Sequence, residues 1–164
     1  MKSITSKYAK TRRDELSKEI TKYWNIIKNE NVISKEATRN FDLKVLLTKI
    51  EEMAEERILM KLYLQCINMG YKKFSELPTS NNYFTIFSLS EKSEQLFHLT
   101  KVRTIDPKIK RAKSKKGLNI TEELTSAYIT NLKNKLQLEL NKELEDFNNS
   151  AELNIESAPI ALVA

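Results

Sequence analysis

Apolar residues recur at three- and four-residue spacing along most of the chain, the period of a helix with one buried face. Leu16, Ile20, Tyr23, Trp24 and Ile27 share such a face, which predicts a first helix over about 6–29. A break at Asn31–Ile33 follows, and Ser34 is a candidate cap for the restart. The strongest pattern runs over about 42–69, where Leu43, Leu46, Leu47, Ile50, Met53, Ala54, Met60, Leu64 and Ile67 form a stripe. Gly70 directly after it suits a left-handed stop. Residues 71–77 predict one short helical turn, ended by Pro78.

Tyr83, Phe84, Ile86 and Phe87 have strand-like composition, but no partner strand is evident. The stretch 81–89 is therefore expected to be an apolar connector that plugs the core. Ser88 and Glu91 have capping-box spacing, which predicts a helix from there to about Val102 with Leu89, Leu96, Phe97 and Thr100 inward. Asp106-Pro107 opens a short helix that Gly117 ends. Asn119 or Thr121 then caps a long helix to about Asn149, with Leu124, Tyr128, Leu132, Leu136, Leu140 and Leu144 stepping by four and Phe147 beyond. A strict step of four drifts around a helix, so this is no sustained heptad. The face needs a partner, either the body of the same chain or another protomer. Leu132, Leu136, Leu140 and Leu144, with Ile160 and Leu162 of the tail, are the candidate partner-binding residues.

The fold class expected is all-α: an irregular bundle of about five helices with a long C-terminal helix and an apolar tail. Its divisions are a helical body over 1–104, a basic linker over 105–118, the long helix over 119–150 and a flexible apolar tail over 151–164. Two glycines and three prolines in 164 residues disfavour turn-rich β architectures and leave no room for a phosphate-cradling glycine loop. The single cysteine, Cys66, excludes an intrachain disulfide. There is no apolar run long enough to span a membrane, and the basic start lacks the apolar stretch of a secretory signal. A cytoplasmic protein is expected, with association to a nucleoid open.

Charge changes this picture. The chain carries +6 overall, but Met1 to Arg13 holds Lys2, Lys7, Lys10, Arg12 and Arg13 with no acid, a net of +5. Residues 101–116 hold Lys101, Arg103, Lys108, Lys110, Arg111, Lys113, Lys115 and Lys116 against Asp106, a net of +7. What is left carries −6, so two short segments hold the whole basic excess. Such cations repel one another unless an anion is present, and a nucleic-acid backbone supplies one with release of counterions. A solvated linker and an acidic protein or membrane surface are the alternatives. The segment 101–116 has no aromatic residue, so contact with DNA or RNA is expected to be with phosphates and independent of sequence. Lys10, Arg12 and Arg13 join the residues of 101–116 as candidate nucleic-acid contacts.

Other chemistry is sparse. Arg57 falls inside the apolar stripe and needs a carboxylate, Glu19 or Glu94 being candidates, which makes it a structural ion pair rather than an anion site. Lys61 lies on the same face and can extend outward. Glu51, Glu52, Glu55 and Glu56 point outward as a solvated acidic face, with no Glu-x-x-His motif for a metal. His98, the one histidine, is expected at the surface or rim, Cys66 in the core, and Trp24 as a core anchor. No catalytic residues, cofactor or metal are expected.

A capped helix ending in Tyr23-Trp24, a break, a long helix with internal Arg57 and Lys61, and a helix opening at Ser90-Glu91 that includes Gln95-Leu96-Phe97 together resemble the helical domain of GINS replication-complex subunits. The likeness covers about 10–104 and is one of spacing and residue type. It implies a non-catalytic scaffold joining a replicative helicase to other replisome parts. The small β-domain of that family has no counterpart in 105–164, and no functional residue carries over. The expected function is a non-enzymatic, nucleic-acid-associated subunit of a replication, viral or defence assembly. The alternative is a protein-interaction scaffold or inhibitor working through the final helix and tail, as a homo-oligomer or with another protein, without nucleic acid or membrane.

Overall fold

Thr5 and Asp42 each accept a backbone hydrogen bond in the first turn of the helix they precede, and so fix where the two longest N-terminal helices begin. The computed structural model describes residues 2–78, 82–112 and 117–152. The order is helix α1 (Ser6–Glu30), strand β1 (Val32–Ser34), α2 (Leu43–Asn68), a 3-10 turn (Phe74–Glu76), α3 (Tyr83–Thr100), α4 (Pro107–Ala112), strand β2 (Ile120–Glu122) and α5 (Ser126–Ser150). The fold is all-α, with a single ribbon among the described residues, in which β1 and β2 run antiparallel, Ile33 opposite Thr121. Gly70 follows α2 at φ +80°, the left-handed stop its position predicts.

α2 packs on α1 and α3, and α3 packs on α5. The main core joins Ile20, Trp24 and Ile27 of α1 to Leu43, Leu46 and Ile50 of α2, Leu99 of α3, and Leu124 and Ile129 at the start of α5. A smaller cluster, Ala9, Leu16, Met60 and Leu64, closes the far end of the α1–α2 pair. The long C-terminal helix therefore finds its partner in the body of its own chain, where Tyr128, Leu132 and Leu136 pack against the main core. Lys92 of α3 binds Glu143 of α5, and the Ser88 hydroxyl donates to the same carboxylate at 3.2 Å.

Several expectations need correction. The stretch 81–89 is no connector: α3 begins at Tyr83, and the aromatic residues form its first two turns. Ser88 and Glu91 lie inside that helix and cap nothing. Packing against α2 and α5 selects the inward face, so Ser88, Glu91 and Leu99 are buried, Leu89 and Leu96 half-buried, and Phe97 and Thr100 exposed. Ser34 belongs to β1, and its hydroxyl accepts from the Glu36 amide, so it caps no helix. Asn119 and Thr121 do not cap α5 either. Thr125 does, its hydroxyl accepting from the Tyr128 amide at 3.1 Å, while Thr121 sits in the ribbon. The expected tail over 151–164, with Ile160 and Leu162, lies outside the described residues beyond Glu152.

Candidate nucleic-acid interface

The strands are three residues each, too short to matter as a sheet. Their value is in what they hold beside them. Directly after α1, the fully buried Asn31 donates to the carbonyls of Arg103 (2.7 Å) and Leu124 (3.0 Å) and accepts from the Leu124 amide (2.7 Å). Arg39 adds donations to the carbonyls of Glu30, Asn31 and Thr121. The next three residues after the ribbon's Thr121 each grip a different element. Glu122 accepts from the Ile105 amide at 2.5 Å and pairs with Lys110. Glu123 accepts from the Leu43 amide at 3.0 Å, placing a carboxylate at the positive end of α2. Leu124 is buried in the core.

These contacts fasten the backbone of the segment leaving α3. Val102 and Ile105 turn inward and are buried, while Lys101 before them and Arg103 between them are exposed. Asp106 then opens α4, its side chain accepting from the Lys108 amide at 2.8 Å. The whole of α4 is exposed, Lys108, Lys110 and Arg111 included. Lys110 is neutralised by Glu122, and Lys101 lies 5.4 Å from the centre of the Phe97 ring. Among the described residues, Lys101, Arg103, Lys108 and Arg111 pair with no carboxylate; Lys113, Lys115 and Lys116 lie outside the described residues.

The second basic segment is not beside the first. Lys10, Arg12 and Arg13 sit at the start of α1, and the first segment meets its end at Asn31. The helical rise from these residues to Asn31 separates the two segments by about 30 Å. Arg12 is bound bidentately by Glu56 of α2, at 2.7 and 2.9 Å, with Glu15 at 3.5 Å. Glu56 holds it charged, and the guanidinium in turn lowers the Glu56 carboxyl. Arg13 pairs with Asp14 at 3.2 Å. Lys10 is exposed.

Arg57 is the centre of a buried ionic cluster between α2 and α3. Its Nε and Nη2 donate to Glu91 at 2.6 and 2.5 Å, and Nη2 also donates to Glu94. Nη1 donates to the Ser17 hydroxyl of α1 at 3.2 Å, and Lys61 stands 3.5 Å from Glu91. Burial opposes the Arg57 charge, but the bonds from Glu91 and Glu94 outweigh it, so the arginine holds its proton more firmly than usual. Glu94 was one expected partner. The other, Glu19, instead accepts from the Tyr23 hydroxyl at 3.4 Å. Glu91, read as a capping residue, is the missed one, and four residues before Gln95 its helical phase with Leu99 was the available signal.

His98 is half-buried. It stacks on Trp24 with ring centres 5.1 Å apart, and its Nδ1 is 2.9 Å from Lys28. Burial and the Lys28 charge lower its pKa, against the pull of Glu94. Cys66 is buried, and burial pushes its thiol up, away from thiolate character. Glu51, Glu52 and Glu55 are exposed. Among the described residues no three His, Cys, Asp or Glu side chains stand together as a metal site. A cavity of about 230 Å³ over Trp24, rimmed by Lys44, Glu51, Lys135 and Glu139, is below the usual size of a ligand pocket.

Comparison with family models, with curated proteins and with solved structures finds no match to this chain. Among the described residues no helix is long and apolar enough to cross a membrane.

Proposed function

We propose that this chain is a non-catalytic, nucleic-acid-associated protein that grips phosphates through the cationic arm between α3 and α5. The observation that carries the reading is the pairing of a fastened backbone with free charge. Val102, Ile105, Asn31 and Glu122 anchor the arm, while Lys101, Arg103, Lys108 and Arg111 remain exposed without a carboxylate among the described residues. Cations held in place lose little further freedom on meeting a polyanion, and each phosphate neutralised releases counterions. With no aromatic residue among residues 101–116, the contact is with the backbone of DNA or RNA and independent of sequence. Membership of a replication, viral or defence assembly belongs to this proposal, the replication option being the one that the GINS-like layout of 10–104 suggests.

The test is titration of a labelled duplex, followed by fluorescence anisotropy at several salt concentrations. Reversing Lys101, Arg103, Lys108 and Arg111 to Glu should weaken binding at least about ten-fold and flatten the plot of log K against log salt by roughly 3 to 4. An unchanged affinity and slope would sink the proposal.

A second reading has one observation of its own. α5 leaves Leu138 at 71% and Leu144 at 45% exposure, so a protein partner or second copy has apolar ground there. Leu132 and Leu136 serve the core, and Leu140 is half-buried. Light scattering of Leu138→Glu/Leu144→Glu separates the readings: a drop in mass favours an oligomer through α5, and an unchanged monomer removes that form of it.

A further inference from the structure

Where the first turns of α1 meet the end of α2 and the 3-10 turn, a groove of about 1090 Å³ opens on the surface. Its aromatic walls include Tyr8 and Phe74, exposed at 56% and 49%, and the Tyr63 ring, which meets Phe74 edge-on with centres 5.9 Å apart. Lys2, Lys72 and Lys73 line it with these rings, and among the described residues no Asp or Glu does. Glu76, close by, turns its carboxylate to the Lys72 amide at 2.9 Å. Cations interleaved with exposed rings are what a single strand requires, since phosphates follow the charges and each base offers a face for stacking. The groove has the aromatic component that the arm lacks.

We propose that this groove binds single-stranded nucleic acid, with bases stacked on Tyr8 and Phe74 and phosphates held by Lys2, Lys72 and Lys73. An acidic peptide would meet the lysines but would leave the exposed rings without a planar partner. The site shares with the arm only the class of partner, and it lies at the opposite end of α1, so the two succeed or fail separately.

The experiment uses the full chain carrying the four arm reversals, so that binding through the arm is already weakened. Its probes are a labelled oligothymidylate and an abasic strand with the same number of phosphates. The base-bearing strand should bind more tightly. Tyr8→Ala/Phe74→Ala should lower its affinity roughly ten-fold or more and abolish the preference over the abasic strand. Lys72→Glu/Lys73→Glu should weaken both strands. The same Tyr8→Ala/Phe74→Ala change in the chain with an intact arm should leave duplex affinity unchanged, which shows that the fold survives. Equal affinity for the two strands, or a preference that persists without the two rings, overturns the proposal. So does a glutamate-rich peptide that binds more tightly than the oligothymidylate, since the groove would then be a protein dock.

Discussion

Arg57 decides how α2 and α3 meet, because the Glu91 carboxylate is only 4% exposed. Arg57→Met strands that carboxylate in the interior and should cost about 3–5 kcal/mol in urea unfolding. Lys61 at 3.5 Å limits the loss toward the lower figure. Adding Glu91→Leu removes the uncompensated charge and should recover most of the stability; a double variant as weak as the single one would contradict this. That Arg57 needs a carboxylate was legible from its place in the stripe, and Glu94 was one of the two candidates; Glu91 was hidden because its spacing from Ser88 also fits a capping box. His98 carries the pH dependence. Its pKa falls below the ordinary 6.5 in the folded chain, under burial, Lys28 and Arg57 and against Glu94. The unfolded chain therefore takes up the proton first, and stability is lost as pH drops below about 6.5 and on through the folded value. The urea midpoint should fall in that window, and His98→Gln should flatten the fall. The Glu56–Arg12 pair adds a loss of the same sign, but only below about 4.5.

Among the elements, the helices announced themselves where local chemistry is strong. Asp42, Gly70 and Asp106-Pro107 mark real boundaries because a cap or a positive φ is a one-residue requirement. The start of α3 was hidden because Tyr83, Phe84, Ile86 and Phe87 carry strand propensity, and packing overrides propensity in so short a stretch. The ribbon was invisible, since three residues show no alternation and the partners lie about 90 positions apart. Its consequence is testable through Asn31. Asn31→Ala leaves the Arg103 and Leu124 carbonyls and the Leu124 amide without their partner. Stability should fall by about 3 kcal/mol or more, with faster amide hydrogen exchange at Leu124. The arm should also grip a duplex less tightly, because its backbone must then be ordered on binding. Exchange at Leu124 as slow as in the unaltered chain would contradict this.

Across the whole molecule, the uneven charge was plain in the sequence, but its geometry was not. Two basic segments that add up in a tally stand at opposite ends of α1, and one of them surrenders Arg12 to Glu56. The long-range ties also predict how the chain tolerates cutting. Ending it after Gly117 removes β2, the Glu123 carboxylate on α2, the Leu124 plug and both of Asn31's bonds to Leu124 at once. Residues 1–117 alone should lose the cooperative thermal transition seen by circular dichroism. A sharp transition in that fragment would show that the body stands without α5. The one tryptophan and the one histidine of the chain lie face to face, α1 against α3. An excited indole is quenched by a protonated imidazole in contact with it. The emission of the native molecule should therefore dim as His98 gains its proton and change again when the two helices part, giving an optical signal for both events without any added label.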